Sequence, residues 1–490
     1  MPRALLNVSG MHTTQNQGGG SKKAGLVPTE TASVISAMSY RTRGLPNKQF
    51  KTLGRNQAIV SAAATTEESA AATTEESTPA AEESASAPAA EESTPATEES
   101  APAPAIEDAL FSQIKQTLSI DYESGSEEHD NFGRSVSVSG NRAIVGAYTK
   151  DEEGYEAGNL QILDRAGAAY IFEYDTASES WSEMQKLVSP NLSSQEKGYF
   201  GVSVSIMGDY AVVGASGQNN NDGAAYIFKY DNDDNEWKFD PGSGYGYGIY
   251  PMPGSTERLG KSVDIYGDSV IIGGLKTTGD KIGKVSIFTR GVDNSWSHQN
   301  KIDIGSNVEN DRFGEKVSIS ENYAIVGAYK DKKAYIYKRE NGVWNDTPLH
   351  TLTSPNPTNS VQFGYSVSIS NNHAIVSDRE ETGTTGAVYV YDLNTSPLAE
   401  PLRFSKESPY YDFGHSVSVS GNNMIVGTPH IVGEPNFATI YTYDDATWTE
   451  SQVIDSNAYR FGWSVSITDD HAIVGASGEY PDPGSAYIIG

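Results

Sequence analysis

The chain has 490 residues and a formal charge of −29, with 35 Lys and Arg set against 64 Asp and Glu. That balance argues against nucleic acid as a partner, because phosphate binding needs a basic face. The chain has no cysteine, which excludes disulfides, thiolate metal sites and cysteine nucleophiles. It also holds no apolar run long enough to predict a membrane-spanning helix.

The N-terminus shows no secretory apolar region, since Ala4-Leu5-Leu6 is far too short. Residues 1–60 carry eight Lys/Arg and one acid, Glu30. That bias is shared by organellar transit peptides and by plain disordered heads. Residues 61–105 are of low complexity, with Glu-Glu-Ser recurring at Glu67, Glu75, Glu82, Glu91 and Glu98 between Ala, Thr and Pro. Such a segment buries too little to offset its ordering entropy. It reads as an acidic linker, or alternatively as a stalk O-glycosylated on Ser and Thr. The expectation for 1–105 is therefore a disordered segment ahead of a folded domain at 106–490.

From Phe132 one pattern returns seven times, beginning Phe132-Gly133-Arg134-Ser135-Val136-Ser137-Val138 and recurring from Phe200, Leu259, Phe313, Phe363, Phe413 and Phe461. Each unit predicts four strands. In the first, Ser alternates with Val or Ile at the period of a strand. Two residues tolerant of positive φ follow, such as Gly140-Asn141 or Asn371-Asn372, as a tight hairpin requires. The second strand is a short apolar run (Ala143–Ala147), and the third lies near Ala169–Tyr174. The fourth opens on an aromatic residue: Trp181, Trp237, Trp296, Trp344 or Trp448, with Phe404 as the stand-in in unit five. Four antiparallel strands repeated about every 50 residues are the pattern of propeller blades. The fold expected is an all-β, seven-bladed β-propeller of four-stranded blades. Serine on one face of the first strand leaves room for the next blade.

Unit seven starts at Phe461, and Gly490 follows too soon to leave room for a fourth strand. Residues 111–119 (Phe111-Ser112-Gln113-Ile114-Lys115-Gln116-Thr117-Leu118-Ser119) match the fourth-strand pattern of Trp181–Ser189. They are expected to close the ring by pairing near Ala486–Ile489, because an open blade would expose an unpaired edge.

Phe-Gly ahead of the first strand and Val-Gly-Ala at the end of the second resemble the FG-GAP repeat of integrin α-subunit propellers. The third strands Gly167–Phe172 and Gly223–Phe228 are similar to the FG-GAP variant of largely extracellular proteins. The resemblance covers about residues 109–490. It implies a secreted or cell-surface module for adhesion and ligand binding. Many integrin blades also bind calcium through a long acidic loop between the first two strands. Here those turns have two residues and cannot wrap a cation that needs six or more oxygens. Asn219–Gly223 has a single carboxylate and lies in a different loop, so it reads as a polar turn. No metal or cofactor is called for.

No catalytic motif is present. His373 and His471 follow equivalent tight turns and read as exposed strand starts. Asp231–Glu236 reads as a solvated turn. The candidate site is the residue after each Phe-Gly or Leu-Gly, at one mouth of the central channel: Arg134, Val202, Lys261, Glu315, Tyr365, His415 and Trp463. Its neighbours repeat while it varies, as a composite ligand site would. Insertions at Thr149–Ala166 and Pro241–Thr256 enlarge the same face. The second carries Tyr245, Tyr247 and Tyr250, suited to sugars or protein partners.

The reading is a non-enzymatic, monomeric binding module for a protein or carbohydrate ligand. The alternatives are a propeller-scaffold enzyme acting on polysaccharide or phosphoester, and a structural matrix component. Convergence of Glu315, His415 and Lys261 on one pocket would favour the enzyme.

Overall fold

The computed structural model describes residues 111, 113–120, 130–156, 159–191, 197–241, 258–275, 283–302, 311–381, 385–406, 412–430, 436–444, 446–478 and 482–490. All lie in one compact unit, residues 99–490. The expected N-terminal head and acidic linker lie outside the described residues, as do Tyr245, Tyr247 and Tyr250. Among the described residues no helix is long and apolar enough to cross a membrane.

Seven antiparallel sheets form the seven blades of a β-propeller. In blade 1 the strands run Phe132–Ser139, Arg142–Ala147, Ala168–Asp175 and Ser180–Val188, ordered from the channel outward. The other blades follow the same plan. In blade 4 the outer strand is interrupted, with Val343–Trp344 and His350–Thr353 both pairing with Lys333–Glu340. The Thr149–Ala166 insertion contains its own hairpin, Glu152–Glu156 against Asn159–Leu163.

The ring closes where the sequence spacing places it. Ile114–Leu118 pairs antiparallel with Ser485–Ile489, with Ile114 opposite Ile489 and Leu118 opposite Ala486. Phe111 and Leu118 are buried, Phe111 in the cluster shared by blades 6 and 7 and Leu118 in that shared by blades 7 and 1.

The blades are joined by more than apolar packing. The serine two residues before the end of the Ser-Val-Ser run receives a backbone N–H from the next inner strand all the way round. Ile206 N–H donates to Ser137 at 3.1 Å, Ile265 to Ser205 at 3.3 Å, Ile369 to Ser318 at 3.2 Å, Val419 to Ser368 at 3.1 Å, Ile467 to Ser418 at 3.2 Å and Val138 to Ser466 at 3.2 Å. Asp264 fills the remaining place, and its Oδ2 accepts from Ile319 N–H at 2.8 Å. Serine on this face therefore pairs inner-strand N–H groups that would otherwise stay orphaned, besides making room. The preceding serine donates to the glycine carbonyl of the next Phe-Gly or Leu-Gly, as Ser135 does to Gly201 at 2.8 Å and Ser203 to Gly260 at 2.9 Å.

Two sequence expectations are overturned. His373 and His471 are not exposed strand starts. His373 is buried under Tyr443 and Trp448 of the next blade, at ring distances of 4.8 and 5.1 Å. His471 packs against Tyr174 and Trp181 across the closing seam, at 5.4 and 5.3 Å. The residue after the tight turn is a seam position, reached by the outer-strand aromatic of the following blade. Tyr210 fills it under Trp296, and Arg142 lies 3.9 Å from the Tyr230 ring centre. Nor does Phe404 replace the missing tryptophan. Trp181 and Trp448 sit opposite the far end of the third strand, at Tyr174 and Tyr443, whereas Phe404 sits opposite Val388 near its start. In blade 5 Leu393 and Leu398 pack on that core instead.

Candidate functional site

Each inner strand is entered through a tight turn whose geometry is set one residue before the Phe or Leu. That residue has positive φ in six blades: Asn131 at 52°, Tyr199 at 52°, Arg258 at 44°, Arg312 at 61°, Asp412 at 65° and Arg460 at 56°. The N–H three residues later returns to its carbonyl, as in Arg134 to Asn131 at 3.2 Å and Trp463 to Arg460 at 3.0 Å. The turn aims the variable residue into the channel mouth. Arg134, Val202, Lys261, Glu315, Tyr365, His415 and Trp463 accordingly line one cavity of about 210 Å³.

The cavity has two unlike walls. On one side His415 lies against Trp463 at 4.3 Å and Tyr365 at 5.5 Å between ring centres, and Tyr329 meets Tyr365 at 5.4 Å. Arg134 sits 4.2 Å above the Trp463 ring, and Arg460 lies 4.8 Å from the same ring. Arg379 donates to the Tyr365 hydroxyl at 2.9 Å and holds the Asp412 carboxylate at 3.1 and 3.2 Å. On the other side stand Lys261, Glu315 and Lys316, with Glu315 bridged to Arg312 at 3.2 Å.

Burial shapes the electrostatics. It pulls the Lys261 ammonium down to about 8, with Glu315 opposing and Arg134, Lys316 and Arg258 adding repulsion. It lowers Lys316 in the same way, with Arg134 repelling it. Lys316 is itself exposed, but it lines the narrow channel mouth, where the surrounding protein reduces its solvation. His415 is driven well below the usual histidine range by burial and then by Arg379 and Lys316, so its ring is neutral at pH 7. Its Nδ1 is buried and has no hydrogen-bond partner.

The sequence reading found the mouth ring but missed Lys316, Arg258 and Arg460. A signal existed for Lys316, which alone departs from serine at its place in the seven repeats, where Ser135, Ser203, Ser262, Ser366, Ser416 and Ser464 stand. The opposite half of the channel is a cavity of about 470 Å³ lined by the serine ring and Asp264. Burial raises the Asp264 carboxyl, while N–H and hydroxyl donors oppose that shift. The Asp231–Glu236 turn closes on itself: Lys238 binds Asp231 at 2.8 Å and also reaches Asp234. Asn219, Asn220 and Asn221 all have left-handed φ, at 52°, 58° and 69°. Their turn is anchored by buried Gln218, whose Oε1 accepts from the Tyr226 hydroxyl at 2.5 Å.

Three solved structures show similarity. One is Sqt1 of Saccharomyces cerevisiae, with TM-score 0.43 and 12% identity, covering 77% of this chain and 99% of that one. A Bacteroides uniformis protein provisionally assigned as a 6-phosphogluconolactonase has TM-score 0.44 and 11% identity, covering 68% and 88%. A Lactobacillus plantarum protein has TM-score 0.44 and 14% identity, covering 68% and 86%. At these values none of them bears on function. No curated protein sequence matches the chain. The FG-GAP repeat profile matches five times, at residues 123–172, 181–228, 296–340, 348–391 and 455–489. Those matches fall on blades 1, 2, 4, 5 and 7 of the closed seven-bladed ring, which is therefore a β-propeller carrying FG-GAP repeats.

Proposed function

We propose that this propeller is a non-enzymatic binding module whose ligand, a protein or a glycan, is met at the channel mouth. The observation that carries the reading is the contrast within the repeat. Val202 shows that a plain apolar residue serves the fold at the mouth position. The other six blades nevertheless place Arg134, Lys261, Glu315, Tyr365, His415 and Trp463 around one cavity. Fold alone does not call for that diversity, and specific contact with a ligand does.

A glycan-array and pull-down screen with the whole chain supplies the ligand. The variant Lys261→Val, Tyr365→Val, Trp463→Val then tests the site, using the residue that blade 2 already tolerates. Binding is expected to fall by more than about tenfold, roughly 1.4 kcal/mol. Unchanged affinity in a folded variant would remove the mouth from the function.

One observation favours a second reading, an enzyme acting on polysaccharide or phosphoester. Lys261, Glu315 and His415 do line the same cavity, and two of them have displaced proton affinities. Against it, no hydrogen bond links any two of the three, Glu315 is engaged by Arg312, and His415 is held between two aromatic rings. General acid–base chemistry needs such groups within reach of one reacting centre.

A further inference from the structure

The mouth concentrates positive charge in a chain whose net charge is −29. Arg134, Lys261 and Lys316 line the cavity, and Arg258 and Arg460 stand on the turns that enter it. The neighbouring acids are already engaged, Glu315 by Arg312 and Asp412 by Arg379. Among the described residues none of the five cations is within ion-pair distance of a carboxylate. The fold does not demand them, since Val202 and six serines occupy the equivalent places of Lys261 and Lys316.

A further observation points to a ligand of opposite sign. The Arg134 and Arg460 guanidiniums are supported by the Trp463 ring, at 4.2 and 4.8 Å. A ring face steadies a guanidinium without neutralising it and leaves its N–H groups for an oxyanion.

Resting on the reading of the mouth as the binding site, we propose that its ligand is an acidic saccharide, with a carboxylate or sulfate group seated among Arg134, Lys261 and Lys316. The cavity, about 210 Å³, admits one charged ring and no folded element. Tyr148, Tyr199 and Tyr329 stand half-buried near the rim, with Tyr148 5.7 Å from Arg134. Such rings match the mixed polar and apolar faces of a sugar. The acidic remainder of the chain repels a long polyanion laid across the surface, so entry is by a chain end or a short oligomer.

The test is calorimetric titration of the full chain with a galacturonic acid hexamer, a galactose hexamer and a hexaglutamate peptide. Arg134→Gln, Lys261→Val and Lys316→Ser serve as separate variants. The uronate is expected to bind. Each variant should weaken it about tenfold, and the neutral galactose hexamer and the acidic peptide should each bind at least about tenfold more weakly than the uronate. Added salt and a pH above about 8, where Lys261 loses its proton, should also weaken it. Galactose bound as tightly, or hexaglutamate bound as tightly, overturns the acidic-saccharide assignment while leaving the mouth as the site, provided the variants still weaken that binding. Uronate bound equally by all variants overturns both this inference and the mouth reading. No uronate binding below about 1 mM overturns this inference alone.

Discussion

Gly214 and Gly140 look alike in the repeat but answer different demands. A Cβ on Gly214 would lie 2.0 Å from the Gly260 carbonyl oxygen and 2.4 Å from Ser203 Oγ, because the next blade's backbone passes there. Around Gly140 there is nothing within 4 Å, and only its φ of +56° is unusual. Gly214→Ala should therefore cost about 1–3 kcal/mol, since the blades must part to admit a methyl group. Gly140→Asn should stay within about 0.5 kcal/mol, because asparagine accepts left-handed backbone. Equilibrium denaturation separates the two, and equal losses would contradict the close-approach account. At this scale the sequence reveals position better than purpose. The alternation Ser135-Val136-Ser137 announces a strand with a small face. That Ser137 receives the Ile206 N–H depends on the rotation between blades, which no single repeat contains. Lys316 and Asp264 were visible as breaks in serine columns, yet only the closed ring shows that both face the channel.

The closing strand repeats a device found between other blades. Gln185 on the outer strand of blade 1 clamps the Trp237 backbone of blade 2, donating to its carbonyl at 2.9 Å and accepting its N–H at 2.7 Å. Gln116 does the same to Trp181, at 2.7 and 2.8 Å, across the seam between the last blade and the first. The chain's earliest described strand thus acts as a full outer strand of blade 7, hydrogen-bonded to both neighbours. Gln116→Ala should cost about 1–3 kcal/mol by removing both partners of a partly buried peptide pair. Thr117→Ala, on the exposed side of the same strand, should change stability by less than about 0.5 kcal/mol. Equal effects in thermal unfolding would show that the clamp does not hold the seam. This strand was legible because Phe111–Ser119 repeats the apolar spacing of Trp181–Ser189. Phe404 misled because an aromatic residue was matched by type, whereas the register opposite Val388 decides what it can cover.

Across the whole ring, two seam histidines and one at the channel mouth tie stability to pH. Burial lowers the proton affinity of His373 and His471, partly opposed by Asp392 and Asp470, and lowers that of His415 at the mouth much further. The folded chain therefore resists protonating rings that the unfolded chain protonates at its ordinary value of 6.5. The sign follows directly: their contribution is whole above 6.5 and is lost as pH falls below it. Asp264 and Asp378, whose carboxyls burial raises, work the other way, because the folded state takes up their protons more readily. Separating these opposing terms requires removing the seam histidines alone, and the repeat supplies the replacement. Tyrosine already stands at the equivalent position in blades 2 and 4, as Tyr210 and Tyr323, each packed in the seam with the following blade. The double variant His373→Tyr, His471→Tyr keeps an aromatic ring under Trp448 and Trp181 but cannot take up a proton. Its melting temperature should fall less than that of the unaltered chain between pH 7 and 5, with the two curves parallel above pH 7. Parallel curves throughout would show that the seam histidines do not govern the acid response, leaving it to His415 and the buried carboxyls.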